Sequence, residues 1–535
     1  MINNIMICIA AVLFVVAYIV SGIYNLHMFQ QNTYIAGEEI AWLKKNNDRQ
    51  RILLLDIIFA LLDLAVNVPF TKGVFSAMML LNIWYFIQME KISNKKVLVW
   101  TDRVKRMFAT YLVLTIAWCA LGFYIYMVND RFVVFFFGMI LALCPFGIIL
   151  ANTINIPAEK MVKRYYINDA KKILKSMPNL KIIGITGSYG KTSVKYYLET
   201  LLKVGFNVVM TPASFNTPMG VVKTIRGDLR PDTEVFLCEM GARYVGEIKE
   251  ICDIVHPHDG IITSIGPQHL ETFGSIENII STKYELGDAV PKDGHLFLNM
   301  DCDYIRDNAG KYQNRVHYGT DVANTSEEVN GLLQNTGYYS EDIVVSENGT
   351  DFTVVSPSGQ KMRYQMKLIG EHNVINVVGA IALANIYGIP LEKLVTAVRR
   401  LRPAPHRLQM IPRGNVTIID DAYNSNPVGS KAAVTTLGMF KGTRILVTPG
   451  MVELGDKEDE YNRLFGTYAA DNCDYVALVG EKHTRPIYEG LIEKGFPKKN
   501  IFIGETLAEA MNFANAASGD GHKYILLEND LTDNY

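Results

Sequence analysis

Two unlike hydrophobic patterns divide the chain. Before residue 156 the apolar positions run together in five segments: about Ile5 to Tyr24, Ile52 to Val68, Val74 to Met89, Met107 to Val128 and Phe132 to Ile154. Runs of this kind predict helices that cross a bilayer, the second and third being short for one. From Lys181 onward short apolar runs alternate with helical patterns: KIIGIT, then Val194 to Val204, NVVMT, EVFLCEM and GIITSIG. That alternation predicts a mostly parallel sheet with helices on both faces. Between about Tyr304 and Met366 the pattern is richer in strands. There IVVSENGTDFTVVSPSG reads as a hairpin about Asn348 and Gly349, an antiparallel insertion or extension of the same domain. A second α/β unit begins near Pro403, with strands VTIID, RILVTPG, YVALVG and YILLE between helices. The expected division is 1–155, 156–402 and 403–535.

Charge orients the apolar part. Lys44, Lys45, Arg49 and Arg51 lie in the first loop, and Lys91, Lys95, Lys96, Arg103, Lys105 and Arg106 in the third. The second and fourth loops hold only Lys72 and Arg131, whereas Lys160, Lys163, Arg164, Lys171, Lys172 and Lys175 follow the last segment. The excess of cations on the cytoplasmic side then places the N-terminus outside and everything beyond residue 156 in the cytoplasm. The first segment lacks a basic leader and a small-residue cleavage site, so it is not a secretory signal. Asp56, Asp63 and Asn67 fall at i, i+7 and i+11 of the second segment. On a helix they share one face, as a functional contact or as partners of a neighbouring helix.

Overall composition excludes more than it assigns. A net charge of -2 leaves no nucleic-acid footprint. Seven cysteines are scattered without C-x-x-C spacing, which excludes a zinc ribbon or a disulfide framework and fits a reducing compartment.

The chemistry begins at GITGSYGKTS, Gly184 to Ser193, between an apolar strand and a helical pattern. A glycine loop in that setting cradles phosphates. Backbone N–H groups around Gly187, Ser188 and Gly190 converge on oxyanions, Lys191 adds a mobile cation, and Thr192 and Ser193 open the helix, with the Thr192 hydroxyl suited to Mg²⁺. Glu239 ends the strand VFLCE at the carboxyl edge, where open α/β sheets bind ligands.

The segment TGSYGKTS resembles the T-G-x-x-G-K-[ST] loop of the Mur ligases. CEMGARYVGEI, SIGPQHLETFGS, STKYE, LIGEHNVINVVGA, PAPHRLQ, IIDDAYNSNP and MVELGD follow in that family's order, nearest its MurF type. The resemblance covers roughly residues 181 to 515. Beside the α-helical membrane domain that the apolar segments predict at 1–155, it implies a P-loop central domain at 156–402 and a Rossmann-like domain at 403–535. It further implies an ATP-dependent ligase that activates a carboxylate as its acyl phosphate and joins it to an amine. Glu239 then resembles the Mg²⁺-binding acid beside Thr192, His269 a ligand of a second Mg²⁺, and Lys283 the lysine that several members carry as a carbamate. His372, Asn373 and Asn376 take positions beside the nucleotide, with Asn376 at the adenine edge. Arg407 matches the arginine that reaches the ATP phosphates, and Asp421 the acid at the ribose.

The chain departs from that pattern where substrates are chosen. Membrane segments stand in place of the soluble N-terminal domain, only Asn216, Pro218 and Gly220 keep part of an asparagine-rich loop, and YILLENDLTDNY stands where a K-G-S element is expected. The implied partners are ATP, a carboxylate-bearing envelope precursor, an amino acid or dipeptide amine, and the lipid bilayer of the cell membrane. A UDP-linked precursor, a lipid-linked muramoyl peptide and a growing polymer such as poly-γ-glutamate all stay open as acceptors. A nucleotide-driven transport or scaffold protein is the reading from another class.

Overall fold

The computed structural model describes residues 2–92, 97–213, 215–320, 333, 337–423, 425–519 and 521–530. Lys95, Lys96, Ser214 and Asn424, and the tail 531–535, lie outside the described residues. Two compact units emerge, one up to Arg164 and one from Tyr165 to Asp530.

The first unit is helical: α1 Ile2–Gln31, α2 Ala36–Lys45, α3 Arg51–Val66, α4 Pro69–Ile92, α5 Asp102–Val128, α6 Val133–Ala142 and the part of α7 (Cys144–Lys175) up to Arg164. Among the described residues α1, α4 and α5 are long and apolar enough to cross a membrane. The segment Asp130–Ala142 and α7 are bent by 69° to each other and make a fourth if the pair is one span. Of the five expected segments, three or four meet the length and composition of a span among the described residues. With 16 residues α3 rises only about 24 Å, short of a hydrocarbon core of about 30 Å. Its end is local chemistry. Asn67 takes the left-handed conformation (φ 51°) and Pro69 follows two residues later, so the helix cannot continue.

Asn67 thus leaves the helical face expected for it and turns toward α4, accepting from Lys72 Nζ at 2.6 Å. Asp63 accepts from Thr71 Oγ1 at 2.5 Å and pairs with Lys72 Nζ at 3.2 Å, and Asp56 accepts from Asn82 Nδ2 at 2.5 Å. Asp56, Asp63, Lys72 and Asn82 are wholly buried. Of the two readings of this face, the partnership with a neighbouring helix is the one realised: a polar seam closes α3 onto α4.

The second unit holds two sheets. In the first, β1 (Lys181–Thr186), β2 (Val208–Met210), β3 (Val235–Glu239), β4 (Asp259–Ile262), β5 (Leu296–Asn299) and β6 (Arg315–Gly319) precede β7 (Tyr338–Ser346), β8 (Gly349–Val355) and β9 (Lys361–Met366). The spatial order is β2-β3-β1-β4-β5-β6-β7-β8-β9, parallel through β7 and antiparallel from β7 to β9. The expected hairpin is present as β7 and β8, and the antiparallel strands extend the sheet. Alternation along β1 sends Ile183 and Ile185 into the core under α8 (Lys191–Leu202) and the helix Glu371–Ile386, and Ile182 into the core on the other face. Each isoleucine wholly removed from water contributes about 1.5–3 kcal/mol.

The second sheet contains β10 (Gln409–Arg413), β11 (Val416–Asp421), β12 (Thr443–Thr448), β13 (Tyr475–Val479), β14 (Ile501–Gly504) and β15 (Lys523–Glu528). Its order is β10-β11-β15-β12-β13-β14, with only β10 antiparallel to its neighbour. The last strand in sequence therefore lies between β11 and β12, and its Glu528 stands directly beside Asp421.

Candidate nucleotide site

The loop Gly187–Gly190 leaves β1 between β3 and β4 and enters α8, at the carboxyl edge where an open sheet accepts ligands. Two positions require glycine. Gly187 has φ 152° and its missing Cβ would run into the Thr263 hydroxyl and the Ser264 backbone; Gly190 has φ 80° and its Cβ would stand 2.8 Å from Asn376 Oδ1. Asn376, half-buried on its helix, is therefore packed directly on the loop. The residues after β4 hold the loop from below. Ser188 N–H donates to Ser264 O at 2.7 Å, Tyr189 N–H to Ser264 Oγ at 2.9 Å, and Ser188 Oγ to Gly266 O at 3.0 Å.

Lys191 arches over the loop, donating to Gly187 O at 2.6 Å and Ser188 O at 3.0 Å. Burial pushes its ammonium pKa down to about 8; Glu239 raises it in part, and the nearby Arg407 lowers it further. Thr192 Oγ1 donates to Glu239 Oε1 at 3.2 Å, and Asn216 Nδ2 donates to the same oxygen at 3.0 Å. The second oxygen, Oε2, lies 2.9 Å from Lys195 Nζ, which also donates to Ala213 O at 2.7 Å and is wholly buried. Ser193 lies one turn before Tyr197, whose hydroxyl donates to Asn373 Oδ1 at 2.8 Å.

A second group of charges adjoins the first. His269 (φ 52°) pairs through Nδ1 with Glu453, and Arg243 pairs with the other Glu453 oxygen. Burial lowers the His269 pKa, Glu453 offsets part of that, and Arg243 and Lys191 add to it. Lys283 is buried with its ammonium 5.9 Å from the Phe273 ring. Desolvation and then Lys191 push its pKa well below the usual lysine value, opposed by Glu247 and Glu285. The neighbouring Glu285 accepts from the N–H groups of Gly246 and Lys249, at the start of the helix Glu247–Val255.

The remaining expected residues divide. His372 is pushed down to about 4 by burial and is neutral at physiological pH, with Nε2 3.1 Å from Asn373 Nδ2. Asn373 braces the helix against α8, since its amide also donates to Ile369 O at 2.9 Å. Arg407 lies over the Tyr423 ring at 4.6 Å and acts electrostatically on Lys191, Asp421 and Glu528. Asp421 Oδ1 accepts from Leu408 N–H at 3.1 Å. Burial raises the Asp421 pKa and Arg407 lowers it.

The structure thus brings Lys191, Thr192, Glu239, His269, Lys283, Asn376 and Arg407 into one neighbourhood and ties Asp421 to it through Arg407. Lys195, Arg243, Glu453 and Glu528 have no precedent among the expected residues. Lys195 had a signal, because it follows Lys191 by four and shares its helical face. Among the described residues no group of three or more His, Cys, Asp or Glu is arranged to hold a metal ion. The hydroxyl of Thr192 beside the carboxylate of Glu239 nevertheless fits Mg²⁺, which takes one or two protein oxygens and completes its shell with phosphates and water.

Residues 185–384 match the Mur ligase middle domain, and residues 406–527 match the Mur ligase glutamate ligase domain. These matches together take in well over half of the chain, which belongs to the Mur ligase family. Within it, the UDP-N-acetylmuramoyl-tripeptide–D-alanyl-D-alanine ligase of Bacillus subtilis is 31% identical over 305 residues, 56% of this chain. The matched part spans 63% of that relative's length. MurF from Acinetobacter baumannii shares the fold with a TM-score of 0.61 and 24% identity, over 69% of this chain and 77% of that one. The MurF ligase of Thermotoga maritima in complex with ADP does so with a TM-score of 0.57 and 22% identity, over 68% of this chain and 80% of that one.

Proposed function

We propose that the chain is an ATP-dependent carboxylate–amine ligase of the MurF type, acting on a peptidoglycan or related envelope precursor at the cytoplasmic face of the membrane. One observation carries this reading: Lys191, Thr192 and Glu239 converge at the loop while Arg407, from the segment before β10, acts on Lys191. In such a site the γ-phosphoryl group passes from ATP to the acceptor carboxylate, giving an acyl phosphate and ADP. The amine then attacks the carbonyl carbon, the C–O bond to phosphate breaks, and an amide and inorganic phosphate leave. Lys191 and Arg407 carry charge for the transferring phosphoryl group. Mg²⁺ at Thr192 and Glu239 would supply further neutralisation of the phosphates. Burial disfavours the charged form of Lys283 and so favours the neutral amine that adds CO₂. As a carbamate, its proton released to solvent, it would be an anion that could hold a second Mg²⁺ together with His269. Asn376, with His372 and Asn373 behind it, takes the adenine side, and Asp421 the ribose.

The membrane unit supports an acceptor presented at the bilayer, most simply a lipid-linked muramoyl peptide, because apolar helices stand where the family recognises a nucleotide-linked sugar. The test is phosphate release by the full chain in lipid. It should require a carboxylate and an amine together, rise with bicarbonate, and run faster on a lipid-linked muramoyl peptide than on its UDP-linked counterpart. Release independent of an added amine would remove the ligase assignment, and equal rates on the two acceptors would remove the lipid-linked one.

A further inference from the structure

The register of the second sheet puts two acids side by side, Asp421 on β11 and Glu528 on β15. Glu528 is 1% exposed. Its Oε1 accepts from Ser425 Oγ at 2.6 Å, and its Oε2 is buried with no donor among the described residues. Across the register Glu528 faces Asp421, whose carboxyl acts on it electrostatically. Two ionised carboxylates offer only acceptors, so a bond between these neighbours requires a proton. Like charges on adjacent strands, out of water, oppose joint ionisation.

We propose that Asp421 and Glu528 hold one proton between them and meet the nucleotide ribose as a unit, with Glu528 the positioning residue that aims Asp421 at the vicinal hydroxyls. The proposal rests on the nucleotide reading above. Asp421 Oδ1 is fixed by Leu408 N–H; a proton carried by Glu528 fixes the carboxyl from the other side. Asn529, next in the chain, holds the same edge. Its Nδ2 donates to Gly450 O at 2.6 Å and its Oδ1 accepts from Ser425 N–H at 3.3 Å. The charged groups acting on the pair are few. Arg407 favours ionisation of both acids, and Asp420 opposes that of Asp421 while itself pairing with His406 at 2.8 Å. Burial is the largest influence on both and raises both pKa values.

The sign follows. With one proton the pair carries a single negative charge facing Arg407, and Asp421 is oriented. Loss of that proton as pH rises leaves two adjacent anions, which repel and misalign Asp421, so affinity for the ribose falls on the alkaline side.

Calorimetric titration of the full chain in lipid with ADP and Mg²⁺, from about pH 6 to about pH 9, tests this. Glu528→Ala should weaken ADP about tenfold, a charge-assisted hydrogen bond's worth, and leave 2′,3′-dideoxy-ADP unaffected. Glu528→Gln, whose amide donates at every pH, should restore the affinity that alanine loses and flatten the alkaline fall relative to wild type. Equal weakening of both nucleotides, unchanged ADP affinity in Glu528→Ala, or a wild-type pH profile in Glu528→Gln overturns the inference alone. A wild-type chain that does not bind ADP overturns the nucleotide reading, and this inference with it.

Discussion

Lys195 with Glu239 and Lys72 with Asp63 are both lysine–carboxylate pairs without solvent exposure, yet they stand in opposite settings. Asp63 is closed in by its own hairpin: Thr71, Lys72 and Asn67 lie within nine residues of it and complete the turn between α3 and α4. Glu239 collects Thr192, Lys195 and Asn216 from separate segments, and its site adjoins the phosphate loop. Burial of an ion pair therefore does not by itself mark a site. Breaking a pair leaves a costly orphan charge, while replacing both partners is often neutral. The chemical role is decided by what else reaches the carboxylate.

The comparison breaks most sharply at Lys191. Lys191→Ala should lower kcat at least about a thousandfold, a loss on the order of several kcal/mol of transition-state stabilisation, with the melting temperature preserved. Measurable turnover within tenfold of wild type would move the phosphoryl clamp elsewhere. Next, Lys195→Met and Lys72→Met should each destabilise their own unit by about 3–5 kcal/mol, read from denaturant unfolding in lipid. Pairing them with Glu239→Gln and Asp63→Asn should restore stability in both cases. Only the Lys72 and Asp63 double variant should then keep full ligase activity. Recovery of activity in the Lys195 and Glu239 double variant would reduce that pair to a structural brace.

The smallest effect is a proton. Burial holds Lys191 near 8, and anionic phosphates raise it. Binding of ADP with Mg²⁺ near pH 8 should take up roughly half a proton, visible as a dependence of the calorimetric enthalpy on buffer ionisation. For folding the sign is opposite to that of a stabilised cation. The unfolded chain holds more protons than the native one between about 8 and the ordinary lysine value, so this residue's destabilising effect is relieved as pH rises through that window. Uptake that persists unchanged in Lys191→Ala would assign the proton to another group.

The legible part of the molecule was the part whose chemistry is local. A phosphate loop needs consecutive residues, so Gly187 to Ser193 announced themselves, and the alternation of short apolar runs with helical patterns pointed to the layered sheet around them. The hairpin of β7 and β8 was likewise readable from Asn348 and Gly349. Lys195 was hidden because a lysine on an amphipathic helix reads as a solvated face, and its acid lies 44 residues away. Glu453, within the quoted MVELGD, and Glu528 had no legible role for the same reason at longer range: only strand order and loop path bring them to His269 and Asp421. Asn67 misled differently. A helical wheel assumes that the helix continues, and here backbone stereochemistry ends it at the residue before.

The position of β15 has a consequence for synthesis. Strands β11 and β12 are made close together in time, yet neither pairs with the other, because the strand that joins them is translated after both. Until Lys523 to Glu528 are translated, both present open edges to any neighbouring chain. Premature release just short of that strand would yield a nascent polypeptide with a finished loop for phosphate and an unfinished partner sheet, a natural client for chaperones and proteases.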